Sequence, residues 1–271
     1  MAATAVRVRA TSAGLLAATH PGPALAVTAL AALLAISAGL TPARGSLVVA
    51  AVLTGQLSIG WSNDLIDAAR DREAGRADKP LATGTVPTAA ARVACALAVV
   101  ATIGLSLACG LVVGLVHLVV VAAGWAYNLG LKSTVFSWLP YAVAFAALPA
   151  FVSLAAGDSE PGWVPVVGAM LGVGAHLLNV LPDLAADAAT GVRGLPHRLG
   201  ARVTRVAAVL VLGAGTAVLA LLADLPAEVL LPGVSAVAVL SVLALTGRGA
   251  APFRAAVGIA LVDVTMLVLA R

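Results

Sequence analysis

Asn63, Asp67 and Asp71 stand at i, i+4 and i+8, a spacing that stacks three oxygen-bearing side chains on one face of a helix. Such a stack suits a hard cation such as Mg²⁺. Arg72, Arg76 and Lys79 follow directly, and Pro80 and Gly84 then stop the helix. Carboxylates beside fixed cations suit a metal-chelated diphosphate. The pattern returns at Asn179, Asp183 and Asp187, with Arg193 and Arg198 behind it. Asp64 lies about 100° round the helix from Asn63 and is the outlying member of the ligand set.

The elements that must position these residues are membrane helices. Hydrophobic residues make up 61% of the 271 and charged residues 10%, with a mean hydropathy of +1.07, which excludes an ordinary soluble domain. Uninterrupted apolar runs near twenty residues specify spanning helices rather than a barrel. With few aromatics, Ala, Val, Leu and Gly must do the packing, and small residues let helices approach closely. Nine spans are expected near 22–40, 46–68, 88–109, 111–130, 134–156, 163–182, 202–222, 227–246 and 252–270, in a single domain over residues 1–271. Arg7 and Arg9 precede the first span without a convincing cleavage site, so it reads as retained. Cys95 and Cys109 fall on one helix about 21 Å apart and cannot pair.

Charge distribution orients the chain. With a cytosolic N-terminus, the cytosolic segments hold Arg7, Arg9, Arg70, Arg72, Arg76, Lys79, Arg92, Lys132, Arg193, Arg198, Arg202, Arg205, Arg248 and Arg254, leaving only Arg44 and Arg271 outside. Asp158, Glu160, Asp224 and Glu228 fall in outer loops. The net charge of +4 is therefore a topology signal and not a nucleic-acid surface. Both Asp motifs then lie at cytosolic ends, of spans two and six. Asn63/Asp67/Asp71/Gly75 matches Asn179/Asp183/Asp187/Gly191 at a constant offset of 116 (179 − 63), which reads as a degenerate four-helix repeat. The two acidic faces are expected to meet across a central cavity.

These residues resemble the UbiA superfamily of intramembrane prenyltransferases. The family's two Asp-rich motifs correspond to Asn63-Asp64-x-x-Asp67-x-x-x-Asp71 and Asp183-x-x-x-Asp187; RADKPLATG (76–84), GVRGLPHRLG (191–200) and AYNLGLK (126–132) are similar to its flanking segments. The resemblance covers essentially the whole chain. It implies nine helices around a central cavity and Mg²⁺-dependent transfer of an isoprenyl group from a polyprenyl diphosphate to a small, often aromatic acceptor. The alternative it leaves open is a terpene cyclase of the same type, acting without a second substrate. A plasma (inner) membrane location with the site near the cytosolic face follows from the same reading.

In that reading Asn63, Asp64, Asp67, Asp71, Asn179, Asp183 and Asp187 hold the metal, with Asp67, Asp71, Asp183, Asp187 and Lys132 central to catalysis. Arg72, Arg76, Lys79, Lys132, Arg193 and Arg198 surround the diphosphate. Trp125, Tyr127, Asn128, Trp138, Tyr141 and His176 are the candidates for lining the cavity or facing the carbocation. Two departures stand out: Asn179 where many members have aspartate, and His20-Pro21 where many carry Arg-Pro, which predicts a weaker or absent diphosphate contact. Asp263, in the middle of the last span, is either a cavity residue or one end of a helix-to-helix hydrogen bond. An ion-coupled carrier is a poor fit, because both acidic clusters lie at one face and not near the midplane.

Overall fold

Apolar runs bounded by Pro and Gly fold here into helices, and the computed structural model describes residues 11–269 of the chain. Arg7, Arg9 and Arg271, used above to orient the chain, lie outside the described residues. In order the helices are α1 (Thr11–Ala17), α2 (Pro21–Ser37), α3 (Pro42–Glu73), α4 (Thr88–Ala108), α5 (Leu111–Leu129), α6 (Leu139–Ala156), α7 (Trp163–Asn179), α8 (Leu184–Ala189), α9 (Leu195–Leu222), α10 (Ala227–Thr246) and α11 (Ala251–Leu269). A short 3₁₀ turn, Leu131–Ser133, joins α5 to the segment before α6. No strand occurs among the described residues.

Each of the nine expected spans is helical, but the count of nine membrane crossings is not reached. Seven helices are long and apolar enough to cross a bilayer, and an eighth arises if α1 and α2, bent by 61° at their break, count as one. The remaining helix, α7, has 17 residues, about 26 Å against a hydrocarbon core of about 30 Å. Conversely α3 runs for 32 residues, about 48 Å, longer than the hydrocarbon core is thick, and carries the first Asp motif in its last turns.

The second motif departs from the repeat. The spacing places a second acidic face at the end of a span over 163–182; the structure stops α7 at Asn179, and Asp183 caps the separate α8 that carries Asp187. Pro182 is the reason, since it brings no N–H and disfavours helical backbone before it. The repeat holds one step later. Gly75 and Gly191, again 116 apart, both take left-handed backbone, at φ 67° and 84°, which an L side chain would resist.

Packing closes a ring. Helices α2, α3, α5, α6, α7 and α11 touch in succession and α11 returns to α2, with α4 packed outside α3 and α5, and α9 and α10 outside α7 and α11. The end of the ring away from the motifs is tied by Arg44 at the start of α3. Its Nε donates to the carbonyl of Ala155 at the end of α6 (2.7 Å), and its Nη2 donates to that of Cys109 at the end of α4 (2.9 Å). A cation on the last carbonyls of two helices suits their dipoles. Cys95 and Cys109 are both free and buried, as their spacing required.

Candidate active site

Inside the ring lies a cavity of about 320 Å³. Its motif end is lined by Asn63, Asp67 and Asp71 from α3, Asn179 from α7, and Asp183 and Asp187 from the broken segment. The two acidic sets therefore share one cavity. Deeper, the wall is apolar: Val27 and Leu30 of α2, Val120 of α5, Phe145 and Leu148 of α6, and Ala256 and Ala260 of α11.

Both asparagines are held the same way. Asn63 donates its amide to Asn128 Oδ1 (3.1 Å) and Asn179 donates to the Tyr141 hydroxyl (3.4 Å). In each case the side-chain carbonyl oxygen is left as the unengaged atom. Asn128 is itself fixed to α3 by donating to Ile59 O (2.9 Å) and Ser62 Oγ (2.8 Å). It thus acts as a spacer between α5 and α3 as well as a lining residue.

Cations interleave with the carboxylates. Lys132 Nζ lies 2.7 and 2.5 Å from the two oxygens of Asp67, and Arg70 approaches the same carboxylate at 2.8 Å. Burial pushes the Lys132 ammonium below the usual lysine range, with the Asp67 charge opposing that shift. Arg76 grips Asp78 at 2.8 and 2.9 Å and reaches Asp183 at 3.5 Å, bridging the loop after the first motif to the second motif. The Arg76 guanidinium holds the Asp78 carboxyl down at about 2. Asp187 is raised, first by burial and then by the neighbouring charge of Asp183, and His197 Nε2 stands 3.7 Å from it.

The expected aromatic wall is partly present. Tyr127, Tyr141 and His176 line the cavity as one cluster, with ring centroids 4.9 to 5.6 Å apart. His176 is also pinned through Nε2, 3.1 Å from Ser137 Oγ. Trp125 and Trp138 do not line the cavity; the Trp125 indole donates to Ser58 Oγ at 3.2 Å instead. Of the diphosphate candidates, Arg76, Lys79 and Lys132 line the cavity, whereas Arg72, Arg193 and Arg198 do not. Asp64 is also absent from the wall. His20, Arg70, His197 and Gln56 line it without having been singled out for that position by sequence, His20 apart. Asp263 is buried away from this cavity, both carboxyl oxygens 3.1 Å from Thr216 Oγ1, the helix-to-helix reading of that residue. His117 stacks on Phe151 at 4.6 Å and meets Ser106 Oγ at 2.7 Å, a packing residue.

A family model described as the UbiA prenyltransferase family matches residues 24–256. The chain belongs to the UbiA prenyltransferase family. Solved structures of UbiA-type proteins share the fold at low sequence identity. A UbiA homologue from Archaeoglobus fulgidus bound to GPP and Mg²⁺ superposes with a TM-score of 0.73 at 13% identity, covering 94% of this chain and 99% of its own. The apo UbiA homologue from Aeropyrum pernix K1 gives 0.74 at 17%, over 89% and 95%. A digeranylgeranylglyceryl phosphate synthase gives 0.67 at 14%, over 96% of each chain. No sequence among curated proteins matches the chain. In this UbiA member, then, the all-helical ring is the family fold.

Proposed function

We propose that this chain transfers an isoprenyl group from a prenyl diphosphate to a small, often aromatic acceptor, with Mg²⁺, in a cavity near the cytosolic face of a plasma (inner) membrane. One observation carries the reading. Both Asp motifs, four fixed cations (Arg70, Arg76, Lys79 and Lys132) and a Tyr/His wall share one cavity that continues into an apolar chamber. The A. fulgidus relatives bound to GPP or DMAPP together with Mg²⁺ support it.

The donor set fits Mg²⁺. It consists of carboxylate and amide oxygens, the hard ligands that ion takes. No group of three or more His, Cys, Asp or Glu among the described residues is close enough to cage a bare ion. That suits a cation shared between carboxylates and the substrate's own phosphate oxygens. Asn63, Asp67, Asp71, Asn179, Asp183 and Asp187 would hold it. Mg²⁺, when bound, neutralises the diphosphate and favours its departure.

The chain's own residues do the rest. Lys132, Arg76 and Lys79 set fixed positive charge around the leaving diphosphate, where preorganised donors gain most from a desolvated site. Tyr127 and Tyr141 offer ring faces to the allylic cation left behind. The apolar wall from α2, α6 and α11 accepts the prenyl tail from lipid and keeps water from the cation. The acceptor carbon then attacks, and its proton leaves to a base or to water.

The test is diphosphate release by purified protein offered geranyl, farnesyl and geranylgeranyl diphosphate, with and without Mg²⁺ and an aromatic acceptor. Release that needs both Mg²⁺ and the acceptor is the expected outcome. Acceptor-free release with a cyclic product would replace the transferase by the cyclase. Release unaffected by EDTA would remove the metal from the reading.

A further inference from the structure

Asp64 is the one carboxylate of the first motif that does not line the cavity, and it is only 2% exposed. Its Oδ1 accepts from Lys79 Nζ at 2.7 Å and lies 2.9 Å from His20 Nε2, while Lys79 Nζ and His20 Nε2 stand 3.2 Å apart. Three distant parts of the chain meet there: the motif helix α3, the break between α1 and α2, and the loop after the motif. His20 sits at that break in left-handed backbone, φ 54°, ahead of Pro21. Gly60, one turn before Asp64, lets the α3 backbone lie against the Thr19 carbonyl, where a Cβ would collide. The fold thus delivers His20 to Asp64 by a close backbone contact. Both of Asp64's partners, unlike Asp64 itself, line the cavity.

We propose that Asp64 is a positioning residue, not a metal ligand: it holds His20 and Lys79 as a paired anion contact for the diphosphate. The proposal rests on the transferase reading above. A shared carboxylate oxygen lets two proton-bearing groups pack side by side in a desolvated corner, where each alone would be pushed apart or left unpaired. Each partner keeps donors to spare. Lys79 has two further ammonium protons, and His20 in its imidazolium form has a second N–H at Nδ1. The imidazole contact that looked weak on its own is reinforced by a lysine through Asp64.

The test uses inorganic pyrophosphate as the probe, titrated into the full-length protein in detergent, once with EDTA and once with Mg²⁺. Asp64→Asn keeps the shape but removes the charge that gathers the pair. The expected result is binding about tenfold weaker in both buffers, the size of one charge-assisted contact. The KM for geranyl diphosphate should rise by a similar factor, and the Mg²⁺ concentration for half-activation should stay fixed. A loss seen only with Mg²⁺, or a raised Mg²⁺ requirement, would make Asp64 a metal ligand and overturn the proposal. No loss in either buffer would reduce Asp64 to a brace and overturn it too.

Lys79→Met gives a second route should Asp64→Asn not fold. His20→Gln added to Lys79→Met should weaken pyrophosphate binding by less than the product of the two single effects. Strict multiplication would overturn the pairing. Absent pyrophosphate binding by the unsubstituted protein would overturn it as well, whereas absent prenyl diphosphate turnover alone would fail the transferase reading and leave the anion contact standing.

Discussion

Asp67 and Asp183 occupy equivalent motif positions but differ in what they hold. Asp67 is buried and neutralises Lys132 and Arg70 together, whereas Asp183 has a half-exposed side chain and a single 3.5 Å approach from Arg76. Asp183→Ala is therefore expected to abolish diphosphate release while leaving the melting temperature in detergent unchanged. Asp67→Ala should abolish release and also cost about 3 kcal/mol, because it strands the Lys132 ammonium in a buried site. Equal stability losses in the two would contradict that distinction. Lys132→Ala should raise the KM for prenyl diphosphate about tenfold and leave that of the acceptor nearly unchanged; steady-state kinetics with each substrate varied in turn decides it. The acidic residues were legible in the sequence because their spacing is a local property. The aromatic wall was half legible. Trp125 and Tyr127 are two positions apart, about 200° round α5, so one cavity cannot be faced by both. Arg70 stands three residues after Asp67 on α3, a local pairing its spacing could have shown, whereas His197 carries no spacing signal and its approach to Asp187 is made by tertiary packing alone.

At the level of elements, apolar runs and turn residues located all nine long helices, but not which of them are long enough to span. Pro182 was in plain view inside the second motif, and its missing N–H explains why α7 ends early and Asp183 sits on a turn. Registering two motifs at constant offset hides such a break, because equal spacing in sequence does not require equal backbone. The contact between α3 and the break of α1 and α2 was not legible at all, since it depends on the missing Cβ of Gly60. Gly60→Val should force that contact open. A stability loss of about 1–3 kcal/mol by thermal melting is expected, with a larger donor KM as His20 moves from Asp64. A variant with wild-type melting and kinetics would show the contact to be dispensable.

For the molecule as a whole, the charge asymmetry argues for the motifs on the cytosolic side, and labelling can check it. Cysteines introduced at Asp78 and at Asp158 should react with an impermeant maleimide from opposite sides of sealed, oriented vesicles. The native thiols give a quiet background because both are buried. Reaction of both from one side would reverse or break the topology. Arg44, counted from the sequence merely as one of two outside charges, does something composition could not reveal: it joins the far ends of three helices through two carbonyls. Those ends should then open as one cooperative unit. Backbone amide exchange at the C-terminal turns of α4 and α6 is expected to proceed at a common slow rate, and Arg44→Ala should uncouple and speed both. The ring is thus fastened at both rims by different chemistry: a cation on helix-end carbonyls at one, and at the other carboxylate–cation pairs that a bound anion would compete for.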